Sequence, residues 1–147
     1  MIAVSATLPA PPAAVFDVLA DGWSYAGWVV GATHVRDVDE GWPAVGTRIH
    51  HTVGAWPLVI DDVTAVTAVE PGRLLELAAR LSPVGTARVR FDLAAGENAE
   101  HTTVRMSELV TSGPGRLLPR AAQALVLIPR NRESLTRLGR LAAGRSR

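Results

Sequence analysis

The segment from Gly113 to Ala142, GPGRLLPRAAQALVLIPRNRESLTRLGRLA, decides the fold. After the Gly-Pro-Gly turn its apolar residues recur at steps of three and four, which predicts a long amphipathic helix with one buried stripe. Pro129 lies inside this pattern. Because proline lacks a backbone N–H and clashes with the preceding turn, we expect it to kink the helix or split it in two. The predicted stripe consists of Leu118, Ala122, Leu125, Leu135, Leu138 and Ala142.

The chain upstream of this helix predicts strands. Between Ala32 and Val110, turn signals separate six short segments that each suit a strand. Each strand is reachable from the last by a short connection, which indicates an antiparallel meander. The turn signals are Gly41 with Pro43, Gly54 with Pro57, Pro71-Gly72, Pro83 with Gly85, and Gly96 to Asn98.

The first thirty residues add one strand and two short helical pieces. Residues 2–8 predict a strand, and Pro11-Pro12 then preset the first turn of a helix. Asp21-Gly22 end this helix. Residues 23–30 form a second helical or looped piece that carries three aromatic side chains.

This order of elements predicts an α+β helix-grip architecture. A long amphipathic helix cannot bury its stripe alone, and an antiparallel sheet of six to seven strands has one face to cover. We therefore expect the curved sheet to wrap around the C-terminal helix, with two short helices after the first strand. Because a curved sheet cannot touch a straight helix everywhere, a cavity remains between them. The length suits one domain, residues 1–147.

The composition excludes several kinds of chemistry. The chain has no cysteine, which excludes disulfides, thiolate metal sites and a cysteine nucleophile. All fifteen basic side chains are arginine, so lysine Schiff-base chemistry is also excluded. The chain contains no apolar run of about 18 residues and no basic, apolar signal sequence at its N-terminus, so we expect a cytoplasmic location.

Positive charge is concentrated at the C-terminal end. Residues 113–147 hold eight of the fifteen arginines and one acid, Glu133, while the net charge of the whole chain is +1. Charge runs of this kind are usually a solvated helix face, which is the interpretation we favour. We expect no nucleic-acid partner, and weak contact of the Arg-rich helix with an anionic membrane stays open.

Four stretches give the chain a family resemblance. They are residues 8–19 (LPAPPAAVFDVL), 21–28 (DGWSYAGW), 70–74 (EPGRL) and 129–135 (PRNRESL). Together with the order of elements, the first stretch resembles polyketide cyclase/dehydrase-like members of the START-related (SRPBCC) superfamily, and the other three look like one branch of it. The resemblance implies a deep ligand pocket between the sheet and the last helix. Members carry lipids, sterols or plant hormones, cyclise polyketides, or assist other proteins, so the fold alone does not decide the activity.

Strand alternation indicates which titratable side chains face that pocket. In the third strand His51 shares a face with Ile49 and Val53, so His51 points inward and His50 points to solvent. Because the two histidines project oppositely, they cannot chelate one metal ion. On the seventh strand Glu108 lies on the apolar face, where a carboxylate must pair with a cation, accept hydrogen bonds or become neutral.

The fourth strand leaves two assignments open. Asp61 belongs to the more apolar set, with Val59, Val63 and Ala65, and we predict that Asp61 faces the pocket. The alternative is Asp62, which Leu58, Ile60 and Val66 accompany.

His51, Asp61 and Glu108 are therefore the candidate catalytic residues, since general acid–base chemistry requires titratable groups in one apolar pocket. The alternative is structural. In that case the carboxylates pair with Arg48 or with helix arginines, and His51 only hydrogen-bonds within the wall.

The family resemblance places the aromatic residues of the second helical piece at the pocket mouth, where rings offer large contact area to flat ligands. The equal alternative is that these aromatic residues close one end of the core. The predicted ligand-binding residues are Trp23, Tyr25, Trp28, Ile49, His51, Val53, Leu75, Leu77, Val89, Phe91, Met106 and Glu108.

The remaining motifs are uninformative. The four histidines lack metal-ligand spacing, so we predict no metal site, and nothing in the sequence requires a cofactor.

Two functions remain: a carrier that binds a small hydrophobic molecule such as a lipid, polyketide or aromatic metabolite, and a cyclase/dehydrase-type enzyme that uses a pocket His or Glu. Either is compatible with a monomer or a homodimer.

Overall fold

A computed structural model describes residues 1–53, 57, 59–81 and 85–145, apart from the side chains of Val53 and Leu81. The turn signals at Gly54 and Pro83, and Leu58 with its predicted partners, lie outside these residues. The elements are β1 (Ile2–Leu8), α1 (Pro12–Leu19), α2 (Tyr25–Trp28), β2 (Ala32–Val38), β3 (Arg48–Val53), β4 (Ile60–Glu70), β5 (Leu74–Leu81), β6 (Gly85–Ala95), β7 (Thr102–Ser112) and α3 (Arg120–Arg145), with 3₁₀ turns at Gly22–Ser24 and Pro114–Leu117.

The seven strands form one antiparallel sheet in the order β1-β7-β6-β5-β4-β3-β2. Strands β2 to β7 are a meander, because each pairs with the next one along the chain. β1 pairs with β7 and so extends the sheet on the other side. The predicted helix-grip fold is confirmed: a curved sheet, a long C-terminal helix, and short helices after the first strand.

Helix α3 packs mainly through its second half. Leu135, Leu138 and Ala142 are fully buried, and α3 contacts β1 and α1. Gly139 lets α3 pack closely against the end of β1, since a Cβ atom at this position would lie 3.2 Å from Leu8 Cδ2. Among the described residues no helix is long and apolar enough to cross a membrane.

The structure corrects the predicted stripe of α3 in its first half. Leu118 precedes the helix, and Leu118 and Leu125 are exposed rather than buried. The reason is helical geometry. The buried side here is marked by Leu127, and Leu125 precedes it by two positions, which turns Leu125 about 200° away.

Pro129 does not split α3, which is continuous from Arg120 to Arg145. A non-proline residue at this position would donate its N–H to the carbonyl of Leu125. Both Leu125 and Pro129 are exposed, so water can hydrate the carbonyl that proline leaves without a donor.

Candidate functional site

A small cavity lies between the inner face of the sheet, α2 and α3. Its volume is about 30 Å³, which is room for roughly one or two water molecules. Pockets for drug-sized ligands span about 300–1,000 Å³, so a larger ligand enters only if wall side chains move. The lining residues are Tyr25, Trp28, Val29, Ala32, His51, Thr64, Leu77, Ala79, Arg80, Val89, Phe91, Met106, Glu108 and Arg130.

The register of the central strands builds the apolar wall. Leu77 lies opposite Val89, and Phe91 lies opposite Met106. Residues directly opposite in an antiparallel pair share a face of the sheet, so these side chains form one continuous surface. Glu108 lies opposite Val89 and joins the same wall.

Tyr25 and Trp28 close one side of the cavity with α2. Their rings meet edge to face, with centroids 5.7 Å apart, and Trp28 meets Phe91 in the same way at 5.5 Å. The indole Nε1 of Trp28 is buried and has no hydrogen-bond partner among the described residues. Trp28 is one of the residues that line the cavity, and its indole N–H is a hydrogen-bond donor.

His51, Thr64 and Tyr25 form a hydrogen-bonded row. His51 Nε2 lies 2.8 Å from Thr64 Oγ1, which lies 3.4 Å from the Tyr25 hydroxyl. The His51 Nδ1 atom is buried and has no partner among the described residues. Which ring nitrogen carries the proton follows from the direction of the Thr64 bond: if Nε2 donates, Nδ1 is a free acceptor.

Burial shifts the titration of two members of this row. Burial lowers the pKa of His51 below 6.5 and so favours the neutral imidazole near neutral pH. The negative charge of Asp62 raises this pKa, but by less than burial lowers it. Burial likewise raises the pKa of the Tyr25 phenol above 10, so the phenol stays protonated.

Glu108 is buried on the inner face of β7. Asn131 Nδ2 donates to its Oε1 atom at 3.1 Å, and Arg130 Nη1 lies 3.5 Å from the same oxygen. The other oxygen, Oε2, is buried and unpartnered among the described residues. α3 thus supplies both a cation and an amide for a carboxylate that would otherwise be costly to bury.

The backbone of Val30 ties the α2 segment to α3. Arg130 Nε donates to the Val30 carbonyl at 3.0 Å, and the Val30 N–H donates to Ser134 Oγ at 3.1 Å. Trp28 lies two residues before this clamp. Arg130 therefore contacts both the carboxylate of Glu108 and the segment that closes the cavity.

The prediction that Asp61 faces the cavity is wrong. The Asp61 side chain is 69% exposed and lies 3.5 Å from Arg36, whereas Asp62 is buried. The pairing of β3 with β4 decides this, because Asp62 lies directly opposite the inward-facing His51. The alternation within β4 was read correctly, but the wrong set was assigned to the core.

Eight of the twelve residues predicted to bind ligand line the cavity, and three others do not. Trp23 is 58% exposed, because it lies in the 3₁₀ turn before α2 and points outward. Ile49 and Leu75 are fully buried in the core, outside the cavity wall. The side chain of Val53 lies outside the described residues. The eight are Tyr25, Trp28, His51, Leu77, Val89, Phe91, Met106 and Glu108.

Sequence reasoning missed four polar residues of the site: Thr64, Arg80, Arg130 and Asn131. Thr64 lies two residues after Asp62 and shares its face, so the correct choice on β4 would have found it. The structural alternative named helix arginines as partners of the carboxylates, and Glu108 does pair with Arg130 of α3. The sequence did not single out Arg130 or Asn131, because their contacts to Glu108 and Val30 span 22 to 100 residues.

The other histidines lie away from the cavity. His50 pairs with Asp39 at 2.9 Å, and His101 lies 2.9 Å from Asn98. No group of three or more His, Asp or Glu side chains in the described part of the chain could hold a metal ion.

A family profile and several solved structures resemble this chain. The profile of the family described as polyketide cyclase/dehydrase and lipid transport matches residues 1–143. A search of curated proteins found no match.

Three solved structures illustrate the shared fold. The Zhui aromatase/cyclase from Streptomyces is 19% identical with a TM-score of 0.70, and the alignment covers 99% of this chain and 94% of that one. Ara h 8.0201 is 16% identical with a TM-score of 0.68, and 96% of each chain is covered. The di-domain ARO/CYC StfQ from the steffimycin biosynthetic pathway is 16% identical with a TM-score of 0.73. That alignment covers 97% of this chain and 45% of the StfQ chain.

Proposed function

Because the chain belongs to the polyketide cyclase/dehydrase and lipid transport family, we propose that it binds and carries a small hydrophobic molecule in the cavity between the sheet and α3. Residues 1–147 would act as one ligand-binding domain, and the apolar wall would suit a lipid, a polyketide or an aromatic metabolite once the cavity is enlarged. The observation that carries the proposal is this wall together with three buried polar atoms that have no hydrogen-bond partner among the described residues, Trp28 Nε1, His51 Nδ1 and Glu108 Oε2.

The ligand must enlarge the cavity, and we propose that α2, a helix of only four residues, moves to make room. The hydrogen bonds from Val30 to Arg130 and Ser134 would hold the chain after α2 in place while Tyr25 and Trp28 move. Moving Tyr25 and Trp28 outward exchanges ring contacts for ligand contacts while the strands keep their hydrogen bonds. We therefore propose that the ligand replaces part of the aromatic packing between α2 and Phe91.

A cyclase/dehydrase-type enzyme is the second candidate, and the row of His51, Thr64 and Tyr25 is the observation that favours it. His51 lines the cavity, and a neutral imidazole with an unprotonated Nδ1 atom would accept a proton from an activated carbon of a bound substrate. Thr64 and Tyr25 would hold the ring and its tautomer. Glu108 would hydrogen-bond a substrate hydroxyl through Oε2.

A matched pair of alanines tests the location of the ligand. Ala79 and Ala87 are both buried and lie directly opposite each other on β5 and β6, but only Ala79 lines the cavity. Ala79→Leu inserts three heavy atoms toward the cavity and should weaken binding of an apolar fluorescent dye at least about tenfold. Ala87→Leu should retain dye binding once thermal unfolding shows that it is folded.

Native mass spectrometry of the freshly purified protein, followed by extraction of any bound compound, should identify the ligand class. A protein that binds neither a co-purified molecule nor an apolar dye would contradict both functions. If a ligand is found, His51→Ala and Glu108→Gln separate them: a carrier keeps its ligand unchanged, whereas an enzyme converts it and loses turnover in the variants.

A further inference from the structure

An unusually apolar surface covers the start of α3 and the turn before it. Leu117 is 86% exposed, Leu125 78%, Val126 63% and Leu118 51%. We call these four residues the apolar ridge. Apolar side chains this exposed within ten residues of one another are typical of a surface that binds a membrane or another protein.

The charged residues of the segment that carries the apolar ridge are all positive. Arg116, Arg120 and Arg132 are exposed, and the sequence has no acidic residue from Gly113 to Arg132. No ion pair within the described part of the chain includes any of these three arginines.

In the second half of α3 Arg137 pairs with Glu133, and Arg145 pairs with Asp21, while the exposed Arg140 has no ion pair among the described residues. In the first half, Arg120 and Arg132, which no described acid pairs, accompany the exposed apolar residues.

The apolar ridge also adjoins the cavity. Val126 lies one helical turn before Arg130, which is half-buried and lines the cavity wall. Leu127, next to Val126, is buried toward the protein interior. A hydrophobic compound leaving a membrane beneath the ridge would meet the cavity wall within about one turn of helix.

We propose that the apolar ridge and its arginines dock onto a membrane that contains anionic phospholipid. Leucine and valine would insert among the acyl chains, and the arginines would bind phosphate groups at the surface. A second copy of this chain fits the same surface poorly, because a symmetric contact would bring two sets of unpaired arginines together.

Two exposed valines provide a matched test. Val126 is 63% exposed and Val45 64%. Val45 lies between β2 and β3, near Trp42, whose indole donates to Leu19 at the end of α1. Arg145, at the far end of α3, contacts the same end of α1. Val45 is therefore remote from the apolar ridge.

The experiment measures flotation of the full chain with vesicles of phosphatidylcholine and phosphatidylglycerol in about a two-to-one ratio, and with phosphatidylcholine alone. We expect binding to the mixed vesicles that weakens with added salt, and little binding to the neutral ones. Val126→Glu should lower binding at least about tenfold, while Val45→Glu binds like the wild type.

Three results would overturn the proposal. The first is a wild-type chain that does not float with the anionic vesicles, and the second is equal loss of binding in the two glutamate variants. The third is a dimer, seen by light scattering, that Val126→Glu dissociates, which would make the apolar ridge a contact between two copies.

Discussion

Removing the hydroxyl of Thr64 tests the hydrogen-bonded row that organises the cavity. Thr64→Val keeps the shape of the side chain but deletes an oxygen 2.8 Å from His51 Nε2 and 3.4 Å from the Tyr25 hydroxyl. Thr64 is fully buried, so solvent does not replace the lost partner. A buried polar atom without a partner costs about 1–3 kcal/mol, and the longer bond adds little. We expect the free energy of unfolding to fall by about 2 kcal/mol.

Urea unfolding measures this loss, with Thr67→Val as the control on the same strand. The Thr67 side chain is exposed and donates to Glu76 at 3.0 Å, so its loss should cost less than about 0.5 kcal/mol. Thr64→Val should move the urea midpoint without changing the slope. It should also lower the thermal midpoint by about 6 °C.

A double-mutant cycle identifies the partner. In a His51→Leu background Thr64→Val should cost about 1 kcal/mol less than in the wild type, because the orphaned imidazole is gone. The reasoning is refuted if Thr64→Val matches Thr67→Val in stability, or if its cost is the same with and without His51.

Two further predictions concern buried polar groups. The pKa of His51 is lowered from 6.5 in the folded chain, so the unfolded chain binds more protons below about pH 6.5, and the free energy of unfolding should fall as the pH is lowered from about 7 to 5. Urea titrations across this range should show a shallower fall for His51→Gln, and identical pH dependence would contradict the assignment. Asn131→Leu leaves Arg130, at 3.5 Å, as the one described partner of Glu108 and should destabilise the chain by about 2–3 kcal/mol in urea. A loss below about 0.5 kcal/mol would show that the amide is dispensable.

Much of the site followed from local rules because its strands are long and regular. Alternation of side chains correctly grouped His51 with Ile49, and Glu108 with Met106, on inward faces. It failed at Asp61 because both sets on β4 contain apolar residues, and only pairing with His51 separates them.

The helix shows the same limit. Spacing of three and four residues predicted α3, but spacing does not say how far along the helix the core extends. Spacing alone therefore predicts that Leu125 is buried, while in the structure the core contacts of α3 begin at Leu127. Leu125 belongs instead to the exposed apolar ridge, which the spacing does not reveal.

The sequence by itself determined the order of strands and helices, the helix-grip fold, and which residues share a face of each strand, because these depend on turn chemistry and on backbone periods of two and 3.6. Only the tertiary structure decided that Asp62 is buried, that Arg130 and Asn131 meet Glu108, and that Thr64 joins His51 to Tyr25. These contacts join residues up to 39 positions apart. Contacts at such separation depend on sheet register and helix docking, which minimise the free energy of the whole chain rather than of any one segment.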